Sequence, residues 1–128
     1  MLLGEPVNAI HRTAAVSPSV ELSHGHFISA NVSINALSRL GKTAVCNTGC
    51  VIEHGCVIGD HTFIAPGAVL NGDVTIGDNT FVGANSVIKQ GVVVGKNVII
   101  GAGTVIIRDV PDGVTVVGNP GRIIRSPQ

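Results

Sequence analysis

Residues 51–88 read VIEHGCVIGDHTFIAPGAVLNGDVTIGDNTFVGANSVI. Ile52, Ile58, Ile64, Leu70, Ile76, Val82 and Ile88 follow one another at steps of six. The step extends outward to Ile10, Val16, Leu22, Ile28, Ile34, Leu40 and Cys46 on one side and to Val94, Ile100 and Ile106 on the other, seventeen positions without a miss. A second residue follows each of these four positions later, from Ala14 and Val20 through Ala44, Cys50, Cys56, Thr62 and Ala68 to Thr104 and Val110. Only His26 in this second series is not small. A helix repeats near 3.6 residues and an isolated strand at 2, so a strict period of six specifies a hexapeptide β-solenoid.

Three hexads make one triangular coil, and residues 18 apart then stack at the roughly 4.8 Å spacing of neighbouring strands. Residues 10–110 form about six coils, preceded by a lead-in at 1–9 and followed by a tail at 111–128. Each hexad has two inward residues flanking one outward residue, then a three-residue corner. The corners are rich in Gly, Asn and Asp, which tolerate tight or left-handed backbone. One series runs SHG, GKT, GDH, GDN, GKN; another SAN, NTG, APG, GAN, GAG; the third SPS, NAL, EHG, NGD, KQG, IRD. The period stops at the turn sequence Pro111-Asp112-Gly113. Val114 to Val117 adds a strand and GNPG at 118–121 turns the chain again, closing an end that would otherwise be an open edge.

The remaining composition bounds the function. The chain has 128 residues, a formal net charge of zero and a pI near 6.9, which argues against nucleic acid or a membrane surface as partner. No long apolar run or basic-then-apolar leader is present, so a cytoplasmic location is expected. Cys46, Cys50 and Cys56 all fall on inward positions and read as small core residues kept reduced.

The outward residues form three ladders. One carries Phe27, Val45, Phe63, Phe81 and Ile99, and holds every phenylalanine of the protein. The next carries Ala15, Ser33, Val51, Val69, Val87 and Val105; the last is mixed, with Glu21, Arg39, Val57, Thr75, Val93 and Pro111. A monomer rarely leaves two long apolar ladders uncovered, so the first two are expected to be buried between subunits. They meet at the small-residue corner SAN–NTG–APG–GAN–GAG, which suits a homotrimer gathered around that edge.

The segment NTGCVIEHGCVIGDHTFIAPGAVLNGDVTIGDNTFVGANSVI (47–88), with GAGTVIIRDVPDGVTVVGNPGR (101–122), resembles the hexapeptide-repeat acyltransferases, and within them the sugar O- and N-acetyltransferases of sialic acid and amino-sugar nucleotide biosynthesis. The resemblance implies an all-β, single-stranded left-handed parallel β-helix and acetyl-CoA as co-substrate, with no metal. It also implies an N-terminal nucleotide-sugar domain, for which this chain has no room. In that family the catalytic histidine is often followed by Asp or Glu, where this chain has Gly55, and a second histidine often stands where it has Phe63.

On the same resemblance His54 is the general base, taking a proton from an amine or hydroxyl as it attacks the thioester. The alternative is a solvated corner histidine. A base needs a group to fix its tautomer. Asp73, stacked one coil above Gly55, is the first candidate, Glu53 the second and a backbone carbonyl the third. Gly72 stacks over His54, and its N–H could face the developing oxyanion, or the residue could serve only the tight corner. Asn47, Glu53 and His61 are the candidates for the acceptor side, Asn47 by family likeness and His61 with solvation as its alternative. For CoA, small corners at Gly83, Ala84, Gly101 and Ala102 would allow close approach, and Lys89, Lys96, Arg108 and Arg122 are the cations available, Arg122 having family support.

Two functions therefore stand: an acetyl-CoA-dependent transferase acting on a sugar or nucleotide-sugar amine or hydroxyl by direct transfer, and a catalytically silent solenoid serving assembly. Retention of NTGCVIEHG favours the first, and Gly55 with the missing sugar domain the second.

Overall fold

The computed structural model describes residues 7–127, and among them every regular element is a strand. From Ala9–Ile10 to Val105–Ile106 the strands are two residues long and recur every six residues. They stack in three parallel sheets, each strand pairing with the one 18 residues on: Ala9, Phe27, Val45, Phe63, Phe81 and Ile99 in the first; Ala15, Ser33, Val51, Val69, Val87 and Val105 in the second; Glu21, Arg39, Val57, Thr75 and Val93 in the third. This is the expected single-stranded left-handed parallel β-helix. The three outward ladders are those read from the sequence. The lead-in's residues 1–6 lie outside the described residues, and Ala9 already belongs to the first ladder.

The repeat builds the core. From Ile28 onward the sixth-residue column is buried through Ile106, and the three thiols are free and buried, Cys46 in that column and Cys50 and Cys56 in the second series. At the first coil the column is uncovered, with Ile10 44% exposed. The third residue of nearly every corner has positive φ, from Asn31 (59°) and Gly49 (68°) to Gly103 (67°). Glycine or asparagine fills most of these positions; Leu37, Thr43, His61 and Asp73 fill others. From Thr43 onward the left-handed residue turns its N–H back to a corner carbonyl of the coil before it, while Asn31 and Leu37 donate to the hydroxyls of Thr13 and Ser19, so each edge carries its own hydrogen-bond ladder.

The tail completes the far end on all three faces. Val110 bridges Val94, and Thr115–Val117 pairs in parallel with Ile99–Ile100. The turn at 118–121 lies over the last valine strand, where the Val105 N–H donates to the Gly118 carbonyl and the Gly121 N–H to the Val105 carbonyl. One element goes beyond the sequence reading: Arg122–Arg125 returns as an antiparallel strand against Thr115–Val117.

Candidate acetyl-transfer site

His54 stands at the middle of the corner Glu53-His54-Gly55, where the valine face turns into the mixed face. The corner is tied to both neighbouring coils. The Glu53 N–H donates to the Leu70 carbonyl, the Gly55 N–H to the Ala36 carbonyl, and the Asp73 N–H to the His54 carbonyl. The Ser38 hydroxyl donates to the Glu53 carbonyl at 2.8 Å. The backbone under the imidazole is therefore fixed by sheet-like bonds, while its ring and the Asp73 carboxylate are each about 60% exposed.

The Cε1–Nε2 part of the ring packs against the coil above. A β-carbon at Gly72 would stand 2.7 Å from His54 Cε1 and Nε2, so a bare Cα is what lets the imidazole rest there. Gly72 has negative φ, so this is a requirement for space, beyond the demands of its turn. On the other side of the ring, Nδ1 is 4.0 Å from Asp73 Oδ1. Asp73 itself sits over Gly55: a β-carbon at Gly55 would come within 2.3 Å of Asp73 Oδ1. Of the three orienting candidates, Asp73 is the one beside Nδ1. The Glu53 carboxylate turns down the edge instead, where Oε2 accepts a hydrogen bond from Asn35 Nδ2 at 2.9 Å. Asn35 was not singled out from the sequence; its place 18 residues before Glu53 was the available signal.

The other sequence candidates divide between edges. His54, Gly72, Lys89 and Arg108 share the edge between the valine and mixed faces. Asn47, Gly83, Ala84, Gly101 and Ala102 line the opposite edge of the valine face, and His61 the third edge, with its Nδ1 hydrogen-bonded to the Thr43 hydroxyl. Asn47 Oδ1 accepts the Thr48 N–H at 2.7 Å and so closes its own corner. Gly83 and Gly101 have a use inside the fold. A β-carbon at Gly83 would meet the backbone of residues 100–102 at 2.6 Å, and one at Gly101 would meet Val117 Cγ1 at 2.8 Å. Ala102 is exposed and Ala84 half-buried.

At the top of the prism a cavity of about 370 Å³ opens between the last corner and the returning strand, lined by Ile106, Arg108, Val110, Val116, Gly121 and Arg122 among others. Among the described residues no group of three or more His, Cys, Asp or Glu is placed to hold a metal ion, and no helix is long and apolar enough to cross a membrane.

Residues 73–108 match the family described as hexapeptide repeat of succinyl-transferase. PerB from Caulobacter crescentus, solved with CoA and GDP-perosamine, is 43% identical with a TM-score of 0.92 over 93% of this chain and 57% of that one. A histidine-to-asparagine variant of perosamine N-acetyltransferase from the same organism, also with CoA and GDP-perosamine, is 41% identical with a TM-score of 0.94 over 95% of this chain and 58% of that one. The acetyltransferase domain of PglB from Neisseria gonorrhoeae, in complex with acetyl coenzyme A, is 36% identical with a TM-score of 0.90 over 94% and 58%. The chain thus spans a little under three fifths of the length of these structures. By repeat, winding and sequence, it is a hexapeptide-repeat left-handed β-helix similar, over a little under three fifths of their length, to sugar N-acetyltransferases.

Proposed function

We propose that the protein is an acetyl-CoA-dependent N-acetyltransferase acting on an amino sugar carried by a nucleotide, by direct transfer with His54 as general base. The observation that carries this is the packing of the His54 ring on Gly72, with the Asp73 carboxylate beside Nδ1. A carboxylate there favours the proton on Nδ1 and leaves Nε2 as the acceptor. The likeness to enzymes solved with CoA, acetyl-CoA and GDP-perosamine supports the choice of donor and acceptor.

In the transfer, the acceptor nitrogen bonds to the thioester carbonyl carbon as the carbon–sulfur bond breaks. His54 takes the proton released from nitrogen and passes it to the CoA thiolate, so that free amine and acetyl-CoA become amide and CoA thiol. The Gly72 N–H is the candidate donor to the thioester oxygen.

The donor runs upward along the edge from His54. Arg108 occupies the same corner position three coils higher, about 14 Å away at roughly 4.8 Å per coil, a distance an extended pantetheine arm spans. The phosphates then meet Arg108 and Arg122, with Lys89 beside the path and the apolar cavity at the top beyond them. The small residues Gly83, Ala84, Gly101 and Ala102 border the far side of the same valine face. Asn47 is an acceptor-side residue, and His61 reaches the cleft from the neighbouring subunit of a homotrimer built on the Phe27/Val45/Phe63/Phe81/Ile99 and Val51/Val69/Val87/Val105 faces. In the single chain Phe27 is 54% exposed and Ile99 51%, as faces awaiting a neighbour would be. Three free buried thiols suit the cytoplasm.

Thermal unfolding with acetyl-CoA tests the donor half. A ligand bound only by the native state adds about 2.7 kcal/mol at one hundred times its Kd. A transfer assay against amino-sugar nucleotides tests the rest. No shift at saturating acetyl-CoA would leave the assembly reading in possession.

A further inference from the structure

The edge that carries His54 is electrically two-ended. Glu53 and Asp73 flank the imidazole, and the cations Lys89 and Arg108 begin two coils higher, about 10 Å along the prism. The upper corner also carries Asp109, which turns towards the mixed face, its Oδ1 accepting the Val93 N–H at 2.9 Å, and leaves the two cations in excess there. An anionic donor is therefore drawn to the upper part of the edge and a cationic group to the part around and below His54.

Glu53 is built for that lower part. Its N–H and carbonyl are both bonded to neighbouring coils, and its carboxylate is bent towards the coil below by Asn35 Nδ2, which donates to Oε2 at 2.9 Å. Oε1 accepts no hydrogen bond from the described residues. A half-buried carboxylate with one oxygen fixed and the other open, adjoining a base, is a preorganised receptor for a cationic N–H donor. Orienting His54 does not require it, since Asp73 lies beside Nδ1.

We infer that Glu53, held in place by Asn35, captures the acceptor as a primary ammonium and so selects amino sugars over their hydroxyl counterparts; the ammonium releases one proton to solvent before attack, and His54 takes the second as the amide forms. Asn35 is a positioning residue: without it the carboxylate is free to swing into solvent. The inference rests on the proposed transferase function and specifies what that site accepts.

The test is calorimetric titration of the CoA-saturated protein with GDP-perosamine and with the same nucleotide sugar bearing a hydroxyl in place of the amine, on the native chain, Glu53→Gln and Asn35→Ala. Glu53→Gln keeps an oxygen for Asn35, so its fold is retained, and its unfolding temperature checks this. The native chain is expected to prefer the amine by about tenfold or more, the size of a charge-assisted hydrogen bond, and both variants to lose that preference while binding CoA unchanged. Equal binding of the two sugars by the native chain, binding of neither, or a preference that survives Glu53→Gln would each overturn the inference while leaving the donor site standing. Failure to bind CoA at all would instead remove the transferase reading beneath it.

Discussion

His54 Nδ1 and Asp73 Oδ1 face each other at 4.0 Å across one coil of the prism, so the proposed base and its carboxylate come from segments that the solenoid, and nothing shorter, brings together. Both side chains are about 60% exposed, which limits what the pair contributes in the isolated chain. Exposed ion pairs are worth about 0.2–1 kcal/mol, so Asp73→Asn should lower kcat/KM for transfer by no more than about fivefold, with the KM for acetyl-CoA unaltered. His54→Ala, which removes the base itself, should cost about 10²- to 10⁴-fold in kcat. Steady-state kinetics of both variants on one acceptor separates the two roles, and equal losses would contradict the assignment.

Gly55 and Asp73 act as one position shared by two coils, because a side chain at 55 would occupy the place of the Asp73 carboxylate. Gly55→Asp alone adds a residue at φ +69° and sets two carboxylates against each other, and the backbone part of this costs about 1–2 kcal/mol. Combining it with Asp73→Gly moves the carboxylate to the residue next to His54 and removes the clash. Unfolding temperature should fall for the single variant and recover in the double, with activity following it. A double variant as unstable as the single one would show that the two positions are not coupled.

The period of six made the fold, the ladders and the phase of the corners legible, because a solenoid converts sequence spacing directly into stacking. His54, Gly72 and Asp73 could be grouped for the same reason: 18 residues is one coil. Three features were hidden. The downward turn of Glu53 to Asn35 is a rotamer choice that spacing does not decide, and the antiparallel return of Arg122–Arg125 comes from the tail, where the repeat no longer dictates direction. The structural use of Gly83 and Gly101 by the coil above was also invisible, since a glycine needed for space and one left open for a ligand read alike.

His26 ties stability to pH. It is 1% exposed, and its Nδ1 accepts the Ala44 N–H at 3.1 Å, so the folded chain holds it neutral, and burial pushes its pKa below the ordinary 6.5. A histidine depressed in the folded state binds its proton more readily when unfolded. Stability is therefore complete above about pH 6.5, the unfolded value, and falls as pH drops from there towards the folded value. Unfolding temperature measured from pH 8 to 5 should decline on the acid side, and replacing His26 with threonine should flatten that part of the curve. An unchanged slope in the variant would place the acid sensitivity elsewhere.

The buried thiols should be silent in the native protein. Cys46 is pushed well up by its contact with Cys50 and by burial, and Cys56 is pushed up to about 11, chiefly by burial. All three are buried out of a reagent's reach, so a thiol reagent at pH 8 should modify none of them at a rate near that of a free cysteine and all of them once the chain is unfolded in denaturant. Rapid labelling of native protein would mean that the coils open locally far more often than their paired backbone suggests.

The proposed transfer site depends on assembly, because in that reading one prism supplies only one wall of the cleft. Phe63 and Phe81 stack with ring centroids 5.1 Å apart, and with Phe27 and Ile99 they make a ladder whose upper and lower members are half exposed. Pressed against the valine face of a sister chain, such a ladder would bury its apolar area, and two faces meeting at one edge close as a ring of three. Three copies of 13.0 kDa give about 39 kDa, which light scattering coupled to size exclusion resolves from a monomer. Phe81→Glu places a carboxylate at the centre of that contact without touching the inward column, so it should yield a folded monomer with transfer reduced about 100-fold or more, as expected for a base stripped of its opposing wall. A native chain at 13 kDa with full activity would show that the apolar ladder serves something other than self-association.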